Sequence, residues 1–73
     1  MFDIDQIARQ ADVIIGGFAV LFRNESAKVV NLNTGEGVAV FALDGTLIET
    51  SMDDIELDIA RDVFEDSLTY AEV

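Results

Sequence analysis

Any chemistry on this chain would fall to carboxylates. Its 73 residues hold 15 Asp and Glu against 4 Lys and Arg, with no His, Cys, Pro or Trp. Without His or Cys there is no ordinary neutral-pH base, no thiolate nucleophile and no thiolate metal site. What remains are carboxylate pairs, which can do acid–base work, the amine of Lys28, the phenol of Tyr70, and the Ser and Thr hydroxyls. No spacing sets a carboxylate pair into a site, and no twelve-residue calcium-loop pattern is present. The expectation is no catalytic residue, no metal ligand and no cofactor: not an enzyme.

Two short motifs bear on this. Val40-Phe41-Ala42-Leu43-Asp44-Gly45-Thr46-Leu47-Ile48 resembles the first motif of the haloacid dehalogenase superfamily. That family puts a nucleophilic Asp at a strand end and an acid–base Asp two residues later. Asp44 stands in the second place, but Ala42 stands in the first, and a methyl group cannot form a phosphoenzyme. The same residues read as a hairpin, with Asp-Gly in a type I′ turn between apolar strands. Asp66-Ser67-Leu68 resembles the phosphopantetheine attachment triplet of acyl carrier proteins, whose small size and acidity also match. In those all-helical proteins the serine opens a helix. Ser67 instead falls late in a helical pattern, as a small residue within an apolar stripe.

The formal net charge is -11 at pH 7. Phosphate binding needs clustered Lys and Arg, and Arg9, Arg23, Lys28 and Arg61 are scattered. Direct nucleic-acid binding is therefore not expected, nor is an anionic membrane surface. The longest apolar run, Val13 to Phe22, is too short to cross a bilayer as a helix. Met1-Phe2-Asp3-Ile4-Asp5 lacks the basic start of a secretory signal, so a cytoplasmic protein is expected. A composition 51% hydrophobic and 26% charged is that of a folded domain, and the length fits a single one over residues 1–73. A body this small has little interior, so so much apolar content predicts a partner. The simplest partner is a second copy, giving a homodimer.

The elements follow from periodicity. Residues 3–15 read as a short helix, capped by Asp3 with Gln6 and ended by Gly16-Gly17, although the β-branched Val13-Ile14-Ile15 also suits a strand. Four strands follow, at 17–23, 27–33, 38–43 and 46–50. The Asp44-Gly45 hairpin predicts Phe41 opposite Ile48, Val40 opposite Glu49 and Ala39 opposite Thr50. Both faces of these strands are largely apolar, so each should be covered. From Ser51, as N-cap, to about Tyr70 a long helix is predicted. The fold class expected is α+β: a short N-terminal helix, an antiparallel sheet of three to four strands, and a long C-terminal helix packed on one face.

That last helix carries the candidate partner-binding residues. Its apolar positions form two stripes, Met52/Ile55/Ile59/Val63 and Leu57/Ala60/Phe64/Leu68/Ala71, covering about 220° where a surface helix needs about 100°. One stripe can pack on the sheet while the other seeks a partner, and Leu57, Phe64 and Leu68 are the expected contact. Glu56 falls between the stripes, where it could line an interface or pair with Arg23 or Lys28. The remaining face is acidic: Asp54, Asp58, Asp62, Glu65, Asp66 and Glu72. Asp58, Asp62 and Glu65 there could meet a basic protein, as an inhibitor or DNA mimic filling a nucleic-acid-binding groove.

Overall fold

The β-branched and aromatic runs between turn residues form a five-stranded sheet. The computed structural model describes Ile7 and residues 9–71, without the side chains of Tyr70 and Ala71. The strands are β1 (Val13–Ile15), β2 (Phe18–Arg23), β3 (Ser26–Asn31), β4 (Val38–Ala42) and β5 (Leu47–Thr50), and one helix, α1 (Asp54–Ala71), follows. Each strand pairs antiparallel with its neighbour in sequence, giving the order β1-β2-β3-β4-β5.

This corrects the expected fold. The class is α+β, but the sheet has five strands rather than three or four, and no N-terminal helix stands among the described elements. Only Ile7, Arg9 and Gln10 carry helical backbone there. Asp3, Ile4, Gln6 and Ala8 of the expected helix lie outside the described residues, as does Glu72. Val13–Ile15 forms β1, pairing Val13 with Val20 and Ile15 with Phe18. The cause lies in Gly16 and Gly17, with φ of 58° and 84°. Two successive residues at positive φ make the two-residue turn of a β-hairpin, so the glycines reverse a strand instead of ending a helix. The segment before β1 is tied along β2. Asp12 accepts hydrogen bonds from the Phe22 amide at 2.8 Å and Arg23 Nη1 at 3.2 Å, and Arg23 Nη2 donates to the Gln10 carbonyl at 3.3 Å.

The β4–β5 hairpin also departs from expectation. Of its turn residues only Gly45 has positive φ, at 98°. The Gly45 amide donates to the Ala42 carbonyl at 2.9 Å and the Ala42 amide to the Thr46 carbonyl at 2.8 Å. The loop therefore has three residues, Leu43-Asp44-Gly45, and shifts the register by one, pairing Phe41 with Leu47. A bulge then restores the expected pairs Val40–Glu49 and Ala39–Thr50. Ile48 is the extra residue, and it is 58% exposed while Leu47 packs on the core. A bulge on an edge strand also discourages sheet-to-sheet aggregation.

Asp44 holds this loop by accepting the Thr46 amide at 2.9 Å. That backbone hydrogen bond, with a lesser contribution from the Thr46 side chain, lowers its carboxyl below the ordinary value of 3.8. A carboxyl depressed in the folded state stabilises fully above its ordinary pKa and loses that contribution as pH falls through the folded value. Asp44→Ala is therefore expected to melt below the wild type at pH 7, with the gap closing under about pH 3.8 in a series of thermal melts.

The core lies between α1 and one face of the sheet. Phe18, Val20, Ala27, Val29, Ala39 and Phe41 from the strands meet Met52, Ala60, Val63 and Phe64. The other face is covered in part: Ile7, Ala11, Leu32 and Val38 pack against Ala19, Leu21 and Val30. Both faces are thus shielded to different degrees, as the apolar content of the strands requires.

Candidate interaction surface

The cap of α1 is Asp53, not Ser51. Asp53 Oδ1 accepts the Glu56 amide at 2.7 Å and the Asp53 carbonyl accepts the Leu57 amide at 2.8 Å. This is the N-cap geometry, with the acid also at the positive end of the helix dipole. Ser51 does a different job. Its amide donates to the Val38 carbonyl at 2.9 Å, and its hydroxyl accepts the Val38 amide at 3.2 Å. The approach to the helix is thereby stitched to the start of β4. Thr50 adds to the stitch, donating to the Val38 carbonyl and accepting the Met52 amide, each at 2.9 Å.

Two further contacts set the roll of the helix. Glu56 is half-buried and its carboxylate accepts a hydrogen bond from Asn31 Nδ2. Asn31 is itself buried at the end of β3, and its Oδ1 accepts the Asn33 amide at 2.9 Å. Gly37 lies against the Glu56 carboxylate, so close that a Cβ there would collide with it. Halfway along the helix, Arg61 Nη1 donates to the Gly45 carbonyl at 3.2 Å, and its guanidinium sits 5.2 Å from the Phe41 ring centroid. Neither Arg23 nor Lys28 is the partner found for Glu56.

With the roll set, the two apolar stripes are told apart. Phe64 is 1% exposed and stacks on Phe41 with ring centroids 4.9 Å apart. Leu57 and Leu68 are half-buried and pack against the same core. The structure thus brings the three expected apolar contact residues together, but inside the chain's own core. Ser67 is fully buried beside them, its hydroxyl satisfied by the Phe64 carbonyl at 2.7 Å, as a small packing residue. In the other stripe Met52 and Val63 are buried, whereas Ile55 and Ile59 are 77% and 49% exposed.

Ile55 and Ile59 form the outward apolar pair, one turn apart, and sequence reasoning did not select them. The available signal was steric. Ala60 and Ser67 are small enough for close approach to a sheet and sit in the Phe64 stripe, which marks that stripe as the inward one. Asp58, Asp62 and Glu65 lie where expected, exposed on the outward side with Asp54 and Asp66. Among the described residues no cluster of three or more acidic side chains is gathered to hold a metal ion. No helix among them is long and apolar enough to cross a membrane.

No curated protein and no solved structure matches the chain. One family model does, over residues 1–71, and its description is a family of unknown function, DUF7723. With nearly the whole length matched, the chain belongs to the DUF7723 family.

Proposed function

We propose that this protein is a non-enzymatic interaction module that presents the outward face of α1 to a basic protein, filling a groove in which that partner otherwise takes nucleic acid. The observation that carries this is the exposed pair Ile55 and Ile59 set among Asp54, Asp58, Asp62, Glu65 and Asp66. An apolar centre with a charged rim is how protein contacts are built. Here the rim is of one sign, so the complementary surface is cationic. Carboxylates four residues apart on a helix repeat at about 6 Å along its axis, a regular anionic row suited to a groove that binds a phosphate backbone. A second copy of the chain does not fit this face, since acid would meet acid. The cytoplasm is the compartment that suits this role.

Wild-type chain and the variant D58K/D62K/E65K serve as paired baits in native cell extract, read by mass spectrometry at two salt concentrations. The expected result is a basic, nucleic-acid-binding protein held by the wild type, released as salt rises, displaced by added DNA, and missing from the variant. The variant should melt no lower than the wild type, because the like charges four residues apart at Asp54/Asp58 and Asp62/Asp66 become opposite charges. An identical set of partners on both baits would end the proposal.

A further inference from the structure

We infer that the partner met by α1 is a protein whose groove takes single-stranded nucleic acid, a cationic channel floored by aromatic side chains, and not one that grips a duplex. This partner class rests on the basic-groove reading of α1 and narrows it. Three features of the outward face point the same way.

The first is linear charge density. Asp54, Asp58, Asp62, Glu65 and Asp66 are all exposed. From Asp54 to Asp66 the helix axis advances about 18 Å, so the five carboxylates supply on the order of one charge per 4 Å. A duplex carries one charge per about 1.7 Å of axis, and one of its strands one per about 3.4 Å. The row on α1 therefore resembles a single strand and is about twofold too dilute for a duplex. Glu56 does not thicken it, because its carboxylate is turned inward onto Asn31.

The second is an apolar row beside the acid. Ile55 follows Asp54 and Ile59 follows Asp58. At about 100° per residue the two isoleucines run alongside the carboxylates with the same four-residue repeat. Both are exposed to solvent. A single strand couples each phosphate to a base whose flat face is free to stack on an aromatic side chain. A duplex stacks those faces on one another and shows hydrogen-bonding edges in its grooves. Paired acidic and apolar rows thus have a counterpart in a single strand and none in a duplex. In the groove, Lys and Arg would meet the carboxylates while the aromatic floor receives Ile55 and Ile59.

The third is reach and rigidity. A row of about 18 Å stands in for about five nucleotides at about 3.4 Å each. One OB-fold groove takes about 4–16. The row is also presented ready-made. Glu56 on Asn31 and Arg61 on the Gly45 carbonyl fix the roll of α1, so little ordering is left to be done on binding.

Wild-type chain and D58K/D62K/E65K are immobilised in native cell extract, and the basic protein held by the wild type alone is eluted in two ways. One eluant is a single-stranded oligothymidylate, the other a duplex matched to it in total phosphate. The single strand is expected to release the protein at a concentration at least about tenfold below the duplex. I55S and I55S/I59S serve as further baits with the charge of the wild type, and thermal melts check that both fold. I55S is expected to hold the protein more weakly and I55S/I59S by about tenfold, because the lost contact is the one to the aromatic floor. The salt dependence of both should stay that of the wild type, since no charge is changed. Release by the duplex as readily as by the single strand overturns the single-strand partner and leaves the basic-groove reading standing. Undiminished retention on both serine baits does the same. A wild-type bait that holds no protein beyond those on D58K/D62K/E65K ends both.

Discussion

Phe64→Ala should take away most of the stability of this domain. The ring is 1% exposed and stacked on Phe41 at the centre of the helix–sheet contact. Truncating a buried Phe costs about 3–5 kcal/mol through lost transfer energy and the cavity left behind. A domain of this size has a total stability of about 4–11 kcal/mol, at roughly 0.05–0.15 kcal/mol per residue. In so short a chain each kcal/mol moves the melting temperature by about 4–8 °C, so a drop on the order of 20 °C is expected by circular dichroism. The matched control is Ile55→Ala on the same helix. That side chain is 77% exposed, and surface truncations stay within about 0.5 kcal/mol. A larger loss for Ile55→Ala than for Phe64→Ala would mean that the inward and outward sides of α1 are assigned the wrong way round.

Gly37→Ala is expected to destabilise by about 1–3 kcal/mol, for a reason found in another element. Gly37 does not lie in the left-handed region, so alanine incurs no backbone strain there. Its methyl group would instead strike the Glu56 carboxylate. Glu56 can swing aside, but the buried Asn31 amide then loses its acceptor, and a buried polar group left unpaired carries that penalty. The same substitution in a Glu56→Ala background should reverse sign. With the carboxylate gone, alanine reduces the entropy of the unfolded chain and stabilises by about 0.4–1 kcal/mol. A double-mutant cycle in urea measures the difference as a coupling between positions 37 and 56. Additive effects would show that the Asn31–Glu56–Gly37 contact contributes nothing to the fold.

That contact illustrates why the candidate site was only half legible in the sequence. Glu56 stands out there as a carboxylate between two apolar stripes, with Arg23 and Lys28 as the natural partners by charge. Its partner is Asn31, a neutral amide 25 positions away. Nothing local to either residue announces the pairing, because it depends on how the helix lies across the end of β3. The acidic residues were easier. Asp58, Asp62 and Glu65 are exposed as expected, since a charge with no partner stays in water wherever the helix packs. Leu57, Phe64 and Leu68 were harder, because an apolar arc of about 220° states that two faces are greasy without stating which one meets the sheet.

Much of the chain's own architecture is local. Strand positions β2 to β5 and a helix through the C-terminal third follow from β-branched runs, turn residues and a 3.6-residue period, which act over a few neighbours. The acidity and the lack of His and Cys are properties of composition and need no fold. Three matters were decided only in three dimensions. Gly16-Gly17 is compatible with a helix end or a hairpin, and the hairpin prevails because β1 gains a partner in β2 and its side chains join the core. The β4–β5 register depends on a three-residue loop and a compensating bulge, which together turn Leu47 inward and Ile48 outward. The roll of α1 is set by Arg61 on the Gly45 carbonyl and Asn31 on Glu56, and it determines which isoleucines face solvent. In each case the local options lie within a few kcal/mol of one another, so contacts between residues distant in sequence choose among them.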